Sequence, residues 1–253
     1  MKRVLTALVG IPIVVAITLY SPHWLFALVV ALAAGQCFRE LLTFGGTRLG
    51  VRPGGWTVVA GAAVTASFVG EASWVLTILT AAFIFTIVVM MFEGSLESMI
   101  PNAGLVALGM VYCCILPGFL VWLPRHTVLV LMGTIFAGDA AAYYGGRAFG
   151  RHKLAPTISP NKTVEGSIIG LAGSVLAGIG LGSSLPGFSI TFLALACFAA
   201  GIAGQLGDLA ESALKRSAGV KDSSSLLPGH GGMLDRLDSL MFAAPVFFWF
   251  FHQ

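Results

Sequence analysis

The side chains able to handle phosphate chemistry are concentrated between Gly207 and Ser239, in the run GDLAESALKRSAGVKDSSSLLPGHGGMLDRLDS. This run holds five of the chain's eleven acids (Asp208, Glu211, Asp222, Asp235, Asp238) and four of its fourteen bases (Lys215, Arg216, Lys221, Arg236). In an apolar chain each uncompensated charge near lipid costs ~2.5 to 3.5 kcal/mol on insertion scales, so such a cluster marks a working site. On helical spacing Asp208, Glu211, Ser212 and Lys215 fall on one face, and Asp235, Asp238 and Ser239 share a face of the next helix. Carboxylates brought together from two helices repel unless a cation separates them. Oxygen-only ligands favour a hard ion, and where phosphates are handled that ion is usually Mg²⁺. From spacing alone, an interfacial ion network with Lys215, Arg216 or Arg236 is the competing explanation.

The loop KDSSSLLPGHGG adds a second element. Gly229, Gly231 and Gly232 can expose backbone N–H groups, and His230 between glycines can donate to a phosphate oxygen. A plain turn into the last helix would use the same residues. With four bases nearby, the expected guest is a polyphosphate, whose charge must be offset jointly. His230 is expected to contact phosphate or donate structurally rather than act as a general base.

Upstream lies FAGDAAAYYGGRAFGRHKLAPTISPNKTVEG. Asp139 sits in an otherwise apolar helix and requires a partner; Arg147, two turns on, and the bases that follow Asp208 are the candidates. The run from Ser159 to Gly166 has the form of a helix start. Thr163 is the expected cap, and Lys162 precedes N–H groups that attract a nucleotide phosphate or an anionic headgroup.

Composition decides what positions these residues. With 57% hydrophobic and 10% charged residues, 32 glycines and a mean hydropathy of +0.92, the chain is an integral membrane protein, far from the soluble norm of ~25% charged. Its apolar runs reach helix-spanning length and do not alternate as barrel strands do. The expected fold is all-α, a polytopic bundle of about nine transmembrane helices, at 4–20, 24–42, 56–70, 73–92, 103–123, 127–145, 164–184, 188–212 and 237–252. The opening MKRVLTALVGIPIVVAITLY resembles a signal peptide but has no convincing A-x-A site, so a retained helix is expected. Alternating sides through nine spans puts thirteen of the fourteen bases on one side and leaves only Arg125 on the other. That asymmetry makes the N-terminus and the charged loops 146–163 and 213–236 cytoplasmic, and the C-terminus external.

Small residues recur every four positions in two of these segments. One row is Gly166, Gly170, Ser174, Gly178 and Gly182; the other is Ala196, Ala200 and Gly204, with Asp208 as the next step. Such rows let membrane helices approach closely, so Asp208 is expected to face a neighbouring helix. Cys37, Cys113, Cys114 and Cys197 lie in apolar runs without metal spacing and are expected to pack.

The run Ser212, Lys215, Arg216, Lys221-Asp222, Pro228-Gly229-His230-Gly231-Gly232, Asp235-Arg236 and Asp238 resembles the signature of the phosphatidate cytidylyltransferases, or CDP-diacylglycerol synthases. Asp139, Tyr143, Gly146-Arg147, Gly150, HKLAP, Ser159-Pro160, Lys162-Thr163 and Glu165-Gly166 are similar to that family too. The resemblance covers roughly 137 to 245 and divides the chain into N-terminal helices (1–102) and a catalytic transmembrane domain (103–253). It implies that CTP and phosphatidic acid react to give CDP-diacylglycerol and pyrophosphate, with Mg²⁺ held by Asp208 and Asp235. The implied catalytic group is Asp208, Asp235, Lys215, Arg216, Lys221, Asp222, His230, Arg236 and Asp238. Asp139, Arg147, Ser159, Lys162, Glu165, Ser212, Gly231 and Gly232 are implied substrate contacts. A multi-pass protein of the cell's inner (cytoplasmic) membrane with a cytoplasmic site follows; no nucleic-acid partner is expected, and a homodimer is left open.

Two rivals make different demands. A CDP-alcohol phosphotransferase needs D-G-x-x-A-R and aspartates four apart, whereas Asp235 and Asp238 are three apart. A cation-coupled transporter using Asp139 and Asp208 predicts repeat symmetry, and no internal repeat is visible.

Overall fold

The computed structural model of the protein describes residues 2–92, 95–183, 185–226 and 231–252, with side chains described from residue 10 onward. Among these residues, helices occupy every one of the expected apolar segments. The chain divides into two compact units, Met1–Trp122 with Leu214–Arg236, and Leu123–Ala213 with Leu237–Gln253.

The first unit contains α1 (Lys2–Tyr20), α2 (His23–Leu49), α3 (Trp56–Ala66), α4 (Ala72–Phe92), α5 (Leu96–Gly109) and α6 (Leu116–Trp122). Gly45-Gly46 reads in the sequence as a break, yet α2 runs through it and stops only at Gly50, whose φ of 69° supplies the left-handed C-cap. Between α5 and α6 the backbone widens into a π turn over Met110–Ile115, just before Pro117. Proline has no N–H to continue the ladder, and Thr65 Oγ1 donates to the Cys114 carbonyl at 2.8 Å. The core gathers around Phe38, fully buried, which lies against Gly61 and Gly109 where any Cβ would strike its ring.

The second unit contains α7 (Arg125–Phe149), a short antiparallel hairpin of β1 (Lys153–Ala155) and β2 (Ser159–Thr163), α8 (Val164–Gly182), and most of α9 (Ile190–Ser217) and α10 (Leu234–Phe251). The hairpin is the one sheet in this otherwise helical chain among the described residues, and it falls in the loop expected over 146–163. The buried residues of α8 are Gly166, Gly170, Ser174, Gly178 and Gly182, the row read from the sequence. Close approach explains the row: a Cβ at Gly170 would meet Ala142 of α7, and one at Gly178 would meet Cys197 of α9 and Thr134 of α7. In lipid such packing, rather than hydrophobic transfer, holds helices together. All four cysteines are free and buried, as expected of packing residues.

Six helical stretches among the described residues are long and apolar enough to cross a membrane: His23–Leu49, Ala72–Phe92, Leu96–Trp122, Arg125–Phe149, Val164–Gly182 and Ile190–Ser217. The bundle is therefore a helical membrane bundle. The 11 residues of α3 rise only ~16 Å at 1.5 Å each, about half of a ~30 Å hydrocarbon core.

Candidate active site

Two carboxylate–lysine pairs dominate the charged region, one in each unit. In the second unit, β2 delivers Lys162 and α9 delivers Asp208. The Lys162 Nζ lies 2.6 Å from Asp208 Oδ2, with side chains 28% and 32% exposed. Thr163 caps α8 by accepting from the Gly166 N–H at 3.1 Å, as its position before the helix requires. That cap fixes the strand-to-helix turn one residue after Lys162. Ser212, one turn beyond Asp208, donates to its Oδ1 at 3.5 Å.

Asp139 on α7 and Asp238 on α10 act electrostatically on the same group. The cation facing Asp139 is Lys162, reached through the hairpin, whereas Arg147 lies exposed at the end of α7. Sequence spacing along one helix could not find that partner, because the hairpin brings it back. Gln205, three residues before Asp208, anchors α9 to α8: its Nε2 donates to the Ser167 carbonyl at 3.0 Å, and Ser167 Oγ donates to its Oε1.

Glu165, expected to contact substrate, is engaged in holding the hairpin. It accepts from the backbone N–H groups of Arg151 and His152 at 3.0 and 3.2 Å and lies 2.6 Å from His152 Nδ1. Ser159 begins β2 opposite Ala155.

In the first unit, Lys215 and Asp235 form the second pair. The Nζ sits 2.6 Å from Asp235 Oδ1, and the two side chains are only 11% and 8% exposed. Asp235 Oδ2 also accepts from Gly232 N–H at 2.7 Å, and the Ser223 N–H lies 3.1 Å away. Gly231, at φ 80°, makes the turn that presents this N–H. The glycines therefore cradle the Asp235 carboxylate itself, and Gly232 N–H is already used. Arg216 Nη1 donates to the Val220 carbonyl at 3.0 Å, closing the C-terminal end of α9, while Lys221 and Asp222 are exposed on the loop beyond. Arg236 is exposed in the first turn of α10, and Asp238, two residues on, is 9% exposed. His230, with Pro228 and Gly229, lies outside the described residues.

Glu211 is buried on α9, at 1% exposure. Glu40, Ser223 and Ser224 were not legible as site residues. Glu40 sits on α2, 3% exposed, and takes hydrogen bonds from Ser223, Ser224, Met233 and Leu234. An acid within the apolar run 24–42 was the available signal.

Among the described residues no group of three or more His, Cys, Asp or Glu is arranged to hold a metal ion. The donor chemistry still suits Mg²⁺. Asp208 and Asp235 offer only oxygen, and each accommodates a cationic group at 2.6 Å. That ion takes one or two carboxylates and completes its shell with substrate oxygens and water.

The fold defines a class, the helical membrane proteins, and within it one unit sets a lysine–aspartate pair, Lys162 with Asp208, beside a small hairpin. The whole chain, residues 1–253, matches the model of the Cytidylyltransferase family, and the chain belongs to that family. It is 46% identical over 127 residues to the phosphatidate cytidylyltransferase of Brucella suis, covering 49% of this chain and 46% of that protein. Against the phosphatidate cytidylyltransferase of Staphylococcus haemolyticus it is 48% identical over 122 residues, 48% of this chain and 47% of the relative. The uncharacterized protein YnbB of Escherichia coli is 46% identical over 123 residues, 49% of this chain and 41% of its own length. The chain spans somewhat under half the length of these curated relatives.

Proposed function

We propose that this chain is a phosphatidate cytidylyltransferase, transferring the cytidylyl group of CTP to phosphatidic acid. What carries the reading is a lysine on a signature aspartate twice over, Lys162 on Asp208 and Lys215 on Asp235. Family membership and the names of the Brucella and Staphylococcus relatives add to it.

A phosphate oxygen of phosphatidic acid attacks the α-phosphorus of CTP. The new P–O bond forms as the bond to the β-phosphate breaks, giving CDP-diacylglycerol and pyrophosphate. Because the nucleophile is already an anion, no base is needed to activate it. The difficulty is bringing two anions together, so catalysis rests on positioning and on charge aimed at the phosphates. Lys162, Lys215, Arg216, Lys221 and Arg236 supply that charge. Asp208 and Asp235 would hold Mg²⁺, which when bound offsets charge on the phosphates and the departing pyrophosphate. Asp139 and Asp238 act electrostatically on Lys162, whose ammonium lies 2.6 Å from Asp208.

The same proposal places loops 146–163 and 213–236 on the cytoplasmic side of the inner membrane, where CTP is available. These two loops carry eight of the chain's fourteen bases (Arg147, Arg151, Lys153, Lys162, Lys215, Arg216, Lys221 and Arg236), which supports that orientation.

The test is purified protein with labelled CTP, phosphatidic acid and Mg²⁺, scored for labelled lipid. Formation of CDP-diacylglycerol supports the proposal. Consumption of added CDP-diacylglycerol with an alcohol would replace it by a phosphotransferase, and ion-driven uptake without labelled lipid by a transporter.

A further inference from the structure

We propose that Glu40, on α2, is a positioning residue for the reaction proposed above: it sets the place of the Asp235 carboxylate from a helix in the N-terminal part of the chain.

The geometry is over-determined. Glu40 Oε1 accepts from Gln36 Nε2 at 3.0 Å, Ser224 Oγ at 2.8 Å and Met233 N–H at 3.0 Å. Its Oε2 accepts from Leu234 N–H at 2.9 Å and faces Ser223 Oγ at 2.8 Å. The same Ser223 Oγ lies 2.9 Å from Asp235 Oδ2. A hydroxyl carries one proton, so Ser223 donates to one carboxylate at a time and couples the two. Gly232 fits between them: a Cβ there would collide with Ser223 Oγ and Glu40 Oε2.

The choice of residue argues for positioning rather than for helix stability alone. The N–H groups of Met233 and Leu234 at the start of α10 need acceptors, and an N-cap side chain at position 233 could not supply them, because it accepts from N–H groups two or three residues further on. Both acceptors come from a side chain far upstream, that of Glu40. A local cap would stabilise α10 without fixing where it starts. A carboxylate on α2 does both, and its negative charge complements the helix N-terminus. Because Asp235 is the second residue of α10, any slippage of that start moves the carboxylate and its Lys215 partner.

The experiment compares parent, Glu40→Ala, Glu40→Gln and Ser224→Ala in detergent, with kcat normalised to protein that binds nucleotide. Glu40→Ala is expected to lower kcat ~10–100-fold, the usual cost of removing a residue that orients a site group, with KM for CTP and phosphatidic acid within about threefold. Glu40→Gln keeps one acceptor and should fall between, and Ser224→Ala should stay near the parent. Faster amide exchange at Met233 and Leu234 in the Glu40 variants reports the lost acceptors without reference to activity. Parental kcat in both Glu40 variants overturns the proposal. If Glu40→Ala does not fold, Glu40→Gln decides by the same criterion. A parent that makes no labelled lipid defeats the functional proposal instead, a result that the exchange measurement keeps separate.

Discussion

The Lys215–Asp235 pair allows stability and chemistry to be pulled apart. At 2.6 Å and an effective dielectric of ~20, the gross attraction is about 6 kcal/mol. Desolvation of two side chains that are 11% and 8% exposed offsets part of this, and removing one partner of such a pair typically costs ~3–5 kcal/mol. Either Lys215→Met or Asp235→Asn removes a counter-charge held at bonding distance. Each is expected to lose ~3 kcal/mol, which for a chain of this size lowers the unfolding midpoint by ~6–12 °C. The double variant carries neither charge, and the remaining Asn can still accept from Ser223 and Gly232. It should therefore lose no more than either single variant, ~3 kcal/mol instead of the additive ~6, a coupling of about 3 kcal/mol in the cycle. Turnover should not return, since both groups belong to the proposed machinery. Thermal unfolding in detergent and CDP-diacylglycerol formation are measured on the same preparations. Single variants with parental midpoints would refute the energetic argument, and a double variant that turns over would refute the catalytic one.

Asp208→Asn is expected to abolish CDP-diacylglycerol formation without lowering the yield of folded protein; near-parental rates would remove Asp208 from the proposed Mg²⁺ ligands. Gly178→Val should destabilise the chain by ~1–3 kcal/mol, because its Cβ meets Cys197 and Thr134, while Leu176→Ala, at a position 71% exposed, should shift the midpoint little. Lys221→Cys, on the exposed loop of a chain whose native cysteines are buried, should react with an impermeant maleimide in inside-out vesicles only; labelling of intact spheroplasts would reverse the proposed orientation.

Local rules carried far along this chain. The row from Gly166 to Gly182 was readable as a contact face because four-residue spacing on a helix is a geometric identity, and the structure buries those residues. Thr163 as the cap of α8 was readable for the same reason, since a cap depends on three neighbouring residues. Helix limits were less readable. Gly45-Gly46 resembles a break, but a helix stops where the backbone turns left-handed, and that happens at Gly50.

Composition and spacing determined the membrane bundle and its apolar helices and singled out the acids at 208 and 235 as candidates, because hydropathy and helical periodicity act over one or two turns. Which cation each acid meets was decided by tertiary structure. Lys162 reaches Asp208 because a hairpin folds back after α7, and Lys215 reaches Asp235 across a loop whose start and end are held by Ser223 and Gly232. Glu40 is the clearest case. A lone acid in an apolar run signals only that some partner must exist, and apart from Gln36 one turn before it the donors that satisfy it lie more than 180 residues away along the chain, a separation over which no local periodicity carries information.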